Sequence, residues 1–186
     1  MVDRWAEALR IGSGALPTVP GVKEWLGTAA RLVTGGVWIW AGMLKLPHPE
    51  ESVLAVRAYQ LLPGDTATTV GHLLPVLEVV VGSCLVLGLL TRGAAVASAL
   101  LFVAFIIGIA SVWARGIEID CGCFGGGGYD PDATSKYPWE IARDTGLLAL
   151  SVFLVWLPGS RWALDSVLFR TVPEESDEPV EAHEGS

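Results

Sequence analysis

The chain has 186 residues, of which 52% are hydrophobic and only 17% are charged, and its mean hydropathy is +0.50. That length suits one domain, and the charged fraction is well below the quarter usual in soluble domains, so the composition favours a bilayer over an aqueous environment. The net charge of −8 comes mainly from six acids in residues 174–186, which leave 14 acids against 12 bases elsewhere, so we expect no nucleic-acid partner.

The chain divides into three parts. Residues 1–22 have mixed charge and lack the apolar core of a cleavable signal peptide; residues 3–11 are compatible with a short amphipathic helix on the membrane surface. Residues 23–158 contain the long apolar segments and form the predicted membrane domain. Residues 159–186 form an acidic tail, which we expect to be cytoplasmic.

Four apolar segments are long enough to cross a hydrocarbon layer, which takes about 20 residues in a helix. They cover residues 25–46, 67–90, 93–114 and 137–157. Arg31 and Lys45 lie near opposite ends of the first segment, where we expect both to reach the interface. The predicted fold is therefore all-α, an integral membrane four-helix bundle.

The orientation is predicted from basic residues near the helix ends. One side carries seven Lys and Arg residues and the other carries five. Because the more basic side faces the cytoplasm, we expect a multi-pass protein of the cell membrane with both termini cytoplasmic. The connections 47–66 and 115–136 then face outward, and the first of them is apolar enough to fold back on the bundle.

A C-x-C pair, Cys121 and Cys123, lies in the second outward connection, whereas Cys84 lies in a predicted span about 25 Å from its outer end. We interpret Cys84 as a packing residue. An exposed pair around Gly122 would form a small, strained and easily reduced disulfide, which suits thiol–disulfide exchange. The alternatives are a structural pair without chemistry and a metal site. We favour exchange first, a structural pair second and a metal site last.

Five ionisable side chains are expected in the outer half of the bundle, beneath this pair, where charges are costly and mark function by default. They are Lys45, His72, Glu78, Arg143 and Asp144. One interpretation is an ion-pair network that fixes helix order, with Arg143 paired to Glu78 or Asp144. The other is that a cation lowers the pKa of a thiol or that Glu78 relays a proton.

Several segments in order and spacing resemble the MauE-type methylamine-utilisation membrane proteins of the DoxX-like four-helix family. The resemblance covers about residues 25–158. The segments are Trp38-Ile-Trp-Ala-Gly-Met-Leu-Lys45-Leu46, Ala58-Tyr59-Gln-Leu-Leu-Pro63, Leu74-Pro75-Val-Leu-Glu78, Cys121-Gly-Cys-Phe-Gly125 and Ile141-Ala-Arg143-Asp144.

The resemblance implies a membrane protein that acts in maturation of disulfide-containing exported proteins. The MauE-type family is associated with processing the small subunit of methylamine dehydrogenase. The expected partners are the lipid bilayer and an extracytoplasmic thioredoxin-like protein or exported client. Cys121 and Cys123 would be the catalytic pair, with no cofactor evident beyond this dithiol and no metal. The chain lacks the C-x-x-C and second loop pair of quinone-reducing disulfide-generating enzymes, so quinone binding is left open. A non-enzymatic assembly factor and a small-solute carrier or channel remain as alternative functions.

Overall fold

A computed structural model of the protein describes residues 20–156, so the predicted N-terminal segment and acidic tail lie outside the described residues. The described chain is mostly helical, with four long helices, one short helix and a two-stranded hairpin. The elements are α1 Pro20–Lys45, α2 Pro49–Ala58, α3 Gly64–Leu87, α4 Thr91–Ala114, β1 Ile119–Asp120, β2 Gly128–Tyr129 and α5 Ala133–Trp156.

The four long helices correspond to the four predicted apolar segments. Each packs on two neighbours, because α1 contacts α3 and α5, and α4 contacts the same two helices. Within the described residues, α3 and α4 are long and apolar enough to cross a membrane. Helices α1 and α5 each contain four charged side chains, which lowers their mean hydropathy.

Two elements differ from the predicted all-α bundle. The connection after α1 folds back on the bundle, as expected, but it does so as helix α2, which packs mainly against α3. The connection after α4 contains the antiparallel pair β1–β2, in which Ile119 faces Tyr129 and Asp120 faces Gly128. Both connections lie at the same end of the bundle, since α1 and α4 end there and α3 and α5 begin there.

Glycines bring α1 and α3 into close contact. A Cβ at Gly35 would lie 2.8 Å from the Gly82 carbonyl oxygen, and one at Gly42 would lie 2.7 Å from the Pro75 carbonyl oxygen. Any larger residue would separate the two backbones, which is why small residues are typical of helix contacts in lipid. This contact fixes the position of the α1 end at which the functional side chains lie.

Arg31 does not reach toward the interface as predicted. It is 2% exposed, and its guanidinium donates hydrogen bonds to the carbonyl oxygens of Leu85 and Val86 at 2.9 and 3.2 Å. These carbonyls belong to the last turn of α3, where the helix leaves acceptors unsatisfied and its dipole favours a cation. Gly88 then ends α3 in a left-handed conformation at φ +70°.

Candidate functional site

The C-x-C pair lies between the two short strands. The backbone N–H of Gly122 donates to the Asp120 carboxylate at 2.7 Å, and Gly122 has φ +66°. Only glycine adopts this left-handed conformation without steric cost, so the turn between the two cysteines requires glycine. The hairpin and this turn hold the two sulfurs at one place on the bundle.

Two tyrosines attach this segment to the helices. The Tyr137 hydroxyl on α5 accepts the Ile119 N–H at 3.0 Å and lies 2.8 Å from the Ile117 carbonyl oxygen. The Tyr59 hydroxyl, just after α2, donates to the Cys121 carbonyl oxygen at 2.9 Å. Burial, and then the nearby Cys123, raise the pKa of Tyr59, so its phenol stays protonated and remains a donor.

The cysteines are buried, which corrects the prediction of an exposed dithiol. Cys121 and Cys123 are each 7% exposed and belong to a core cluster with Tyr137. Helix α2 lies over the backbone of this segment, because Cβ atoms built at Gly122 and Gly127 would lie 2.6 and 2.9 Å from the Ala55 Cβ. A pattern of residues in the loop does not reveal this cover, since α2 comes from another connection.

We expect Gly122→Ala to raise the reactivity of the loop thiols toward a small maleimide by about tenfold, because left-handed alanine costs about 1–2 kcal/mol and the new methyl displaces α2. Gly116→Ala is the matched control, since Gly116 has φ +65° but open space around its Cβ position. Adding Ala55→Gly to Gly122→Ala is expected to restore part of the protection. Equal reactivity of the two alanine variants would mean that contact with α2 does not shield the thiols. Alkylation followed by mass spectrometry measures these rates.

Both loop thiols are free, and they interact with each other. The Cys123 N–H donates to the Cys121 sulfur at 3.4 Å, and the Cys123 sulfur lies 4.0 Å from the Cys121 carbonyl oxygen. The hydrogen bond with Cys121, followed by burial, raises the pKa of the Cys123 thiol well above its usual value. Arg143 acts in the predicted direction and lowers the pKa of Cys123, but the hydrogen bond and burial outweigh it.

Arg143 and Asp144 lie directly beneath the C-x-C segment, as predicted. The Arg143 Nε donates to the Asp144 Oδ1 at 2.9 Å, and the guanidinium lies 4.8 Å from the centroid of the Phe124 ring. Asp144 Oδ2 is buried without a hydrogen-bond partner among the described residues. These residues and Cys123 line a cavity of about 20 Å³, which is room for about one water molecule.

Lys45 and Glu78 form a buried ion pair between α1 and α3. The Nζ–Oε1 distance is 2.6 Å, and the two side chains are 3% and 0% exposed. The predicted interfacial position of Lys45 is therefore wrong. Glu78 pairs with Lys45, and not with Arg143, which was one of the predicted partners. The Lys45 ammonium lies 5.6 Å from the Phe105 ring centroid. It also attracts the Asp144 carboxylate electrostatically, so the two ion pairs are neighbours.

Two residues considered in the sequence analysis, His72 and Cys84, lie outside this group of ionic side chains. His72 is exposed, and its Nδ1 lies 2.8 Å from the Thr68 carbonyl oxygen of its own helix. The structure does not bring it to Lys45, Glu78, Arg143 or Asp144. Cys84, as expected, packs against the other core cluster, around Trp38.

Glu140 is a polar neighbour of the cysteines that was not among the predicted site residues. Its half-buried carboxylate faces the Cys121 thiol. The signal was present in the sequence, because Glu140 precedes Arg143 and Asp144 by three and four positions and so shares their helix face. Among residues 20–156, no three His, Cys, Asp or Glu side chains lie close enough together to hold a metal ion.

A family model described as methylamine utilisation protein MauE matches residues 23–157. The chain belongs to the MauE family. It is 38% identical over 100 residues to the methylamine utilization protein MauE of Paracoccus denitrificans, a match that covers 53% of this chain and 54% of that protein. It is also 38% identical over 119 residues to the MauE of Methylorubrum extorquens, with 63% of this chain and 61% of that protein covered. The matches thus span less than two thirds of each relative's length, and no solved structure matches the chain.

Proposed function

We propose that the MauE-family chain is an integral membrane protein whose helices α1, α3, α4 and α5 all cross the bilayer, with both termini in the cytoplasm. The outward surfaces of these helices support this proposal, since large apolar side chains are exposed on each of them. Examples are Leu32, Trp40, Leu73, Val80, Leu100, Ile107, Val152 and Trp156. Exposed apolar surface on every side is costly in water and favourable in lipid.

The C-x-C segment, in this proposal, faces the outside and carries out thiol–disulfide exchange that supports maturation of disulfide-containing exported proteins. The observation that carries the proposal is the pair of free thiols two residues apart, with the Cys121 sulfur accepting the Cys123 backbone N–H, above the Arg143–Asp144 ion pair. The names of the two relatives make proteins of methylamine utilisation the first clients to test.

The exchange is balanced in electrons and protons. One cysteine attacks a partner disulfide, forms a mixed disulfide and releases one partner thiolate, which takes up a proton. The other cysteine attacks the mixed disulfide, forms the Cys121–Cys123 bond and releases the second partner thiol. Two electrons and two protons have then passed to the partner, and the reverse sequence oxidises a dithiol client.

Access to the thiols requires α2 and the C-x-C segment to separate. Both sulfurs are buried, and the Ala55 side chain contacts the backbone at Gly122 and Gly127. A contact of small residues contains few apolar atoms and opens at low cost compared with a large hydrophobic interface. We infer that a partner gains access by displacing α2.

The redox state of the pair in living cells tests the proposal. In a Cys84→Ser strain, acid quenching followed by alkylation of the unfolded protein with a heavy maleimide counts the free loop thiols. We expect unlabelled and doubly labelled populations, full labelling after brief dithiothreitol treatment, and recovery of the unlabelled form over about minutes once the reductant is removed. A pair that stays fully reduced during growth and after added oxidant contradicts exchange.

The side of the membrane is tested on the same strain. After reduction, a membrane-impermeant maleimide is added to intact cells and, separately, to permeabilised cells. We expect intact cells to incorporate label at Cys121 and Cys123. Labelling that appears only after permeabilisation would place the C-x-C segment in the cytoplasm and contradict the proposed orientation.

A further inference from the structure

The two cysteines have different surroundings, although they are two residues apart. The Cys121 sulfur accepts the backbone N–H of Cys123 at 3.4 Å, a donor that stabilises negative charge on that sulfur. The Cys123 sulfur instead lies 4.0 Å from a carbonyl oxygen, that of Cys121. Carbonyl oxygen repels a thiolate and favours a protonated thiol, so the backbone distinguishes the two sulfurs.

A carboxylate also lies next to Cys121. Glu140, the eighth residue of α5, interacts with the Cys121 thiol. Its Oε2 is buried and has no hydrogen-bond partner among the described residues. The carboxylate that the Arg143 guanidinium contacts is that of Asp144, at 2.9 Å, which leaves Glu140 as an acceptor beside the sulfur. A carboxylate in reach of a thiol has the geometry of a general base.

We propose that Cys121 is the attacking thiol, that Glu140 accepts its proton, and that Cys123 is the resolving thiol. This assignment rests on the proposed exchange function and names which atom begins it. Tyr59 supports it as a positioning residue, since its hydroxyl fixes the Cys121 carbonyl at 2.9 Å.

The steps follow from these positions. Glu140 takes the Cys121 proton, the Cys121 thiolate bonds to one sulfur of the partner disulfide, and Glu140 passes the proton to the departing partner thiolate. The Cys123 sulfur then attacks the Cys121 sulfur and forms the intramolecular disulfide. The second partner sulfur leaves with the Cys123 proton, so that two electrons and two protons reach the partner. The raised pKa of Cys123 agrees with a thiol that waits protonated for the second step.

An aromatic disulfide, dithiobis(nitrobenzoic acid), identifies the attacking cysteine in the purified full chain with Cys84→Ser. The probe is used where the rate is linear in its concentration, so that chemistry and not loop opening limits the rate. We expect the parent to release two equivalents of thionitrobenzoate. Cys123→Ser keeps the N–H at position 123 and is expected to release one equivalent and retain a mixed disulfide on Cys121. Cys121→Ser is expected to react about tenfold more slowly or worse.

The role of Glu140 is tested by Glu140→Gln, which keeps the shape of the side chain. We expect the first release to be slowed about 10- to 100-fold at pH 7, with the difference disappearing at alkaline pH, where hydroxide removes the thiol proton. Glu50→Gln, at an exposed carboxylate at the same end of the bundle, is the matched control and should match the parent. A change of the same size at every pH would show a structural role and overturn the proton transfer.

The outcomes separate this inference from the function beneath it. A stable mixed disulfide on Cys123 in the Cys121→Ser variant, formed as fast as in the parent, reverses the assignment and leaves exchange standing. A second comparison uses a chain with Cys121→Ser and Cys123→Ser in which Cys84 is kept as its only thiol. If the parent releases thionitrobenzoate no faster than this chain, exchange itself is contradicted.

Discussion

Replacing Cys121 and Cys123 together by serine is expected to abolish maturation of the exported client while the protein still accumulates in the membrane. Serine cannot form a mixed disulfide, so about tenfold or greater loss of correctly disulfide-bonded client follows. The fold should survive, because the two cysteines are reduced in this structure and no disulfide between them supports it. Growth on methylamine and the alkylation pattern of exported proteins measure the loss, and immunoblotting of membranes measures accumulation.

Cys84→Ser is the control for this experiment. Cys84 lies in α3 and packs in the core cluster around Trp38, away from the loop thiols. Maturation is expected to continue at the parental level in this variant. If the double serine variant also matures its client, the chain acts instead as an assembly factor that holds the client without thiol chemistry.

Lys45→Met is expected to lower the free energy of unfolding by about 3–5 kcal/mol, because it leaves the Glu78 carboxylate buried without its cation. The ammonium lies 2.6 Å from the Glu78 Oε1, and both side chains are almost fully buried. The second Glu78 oxygen already lacks a hydrogen-bond partner within the described part of the chain, so no existing donor is on hand to replace the ammonium. Unfolding in mixed detergent micelles, followed by circular dichroism, measures the change.

Two further variants separate the buried charge from the lost side chain. Lys45→Met with Glu78→Leu removes both charges, and we expect it to regain most of the lost stability. Lys136→Met breaks an ion pair of the same 2.6 Å length, to Asp130, but on the surface. It should leave the unfolding curve unchanged within error, since exposed pairs contribute little. A large effect of Lys136→Met, or no recovery in the double variant, would contradict the burial argument.

The long helices were predictable because each contains an apolar run of membrane length. Helix α2 was not predicted, although Pro49 followed by Glu50 and Glu51 is typical of a helix start. The prolines at 47 and 49 favoured an irregular loop. Only packing against α3 through Val53 makes these ten residues a helix, and packing partners are not visible in a local pattern.

The site was predictable in its residue types and not in its pairing. Glu78 and Lys45 were both singled out, but their contact depends on α1 and α3 lying antiparallel and close, which the glycine contact achieves. Burial of Cys121 was missed for a related reason. Ala55, which packs against the backbone at the adjacent Gly122, is more than sixty positions away and has no chemical character that marks it as a contact.

The cover formed by α2 has a consequence for selectivity among oxidants. In the proposed orientation, the dithiol lies in an oxidising compartment, where small oxidants compete with a protein partner. Small reagents reach the thiols only while α2 and the C-x-C segment are separated, whereas a protein that docks on α2 can stabilise that open arrangement. Under the proposed exchange function, the closed arrangement is therefore expected to favour electron transfer between Cys121 and Cys123 and those partners that recognise the surface of α2.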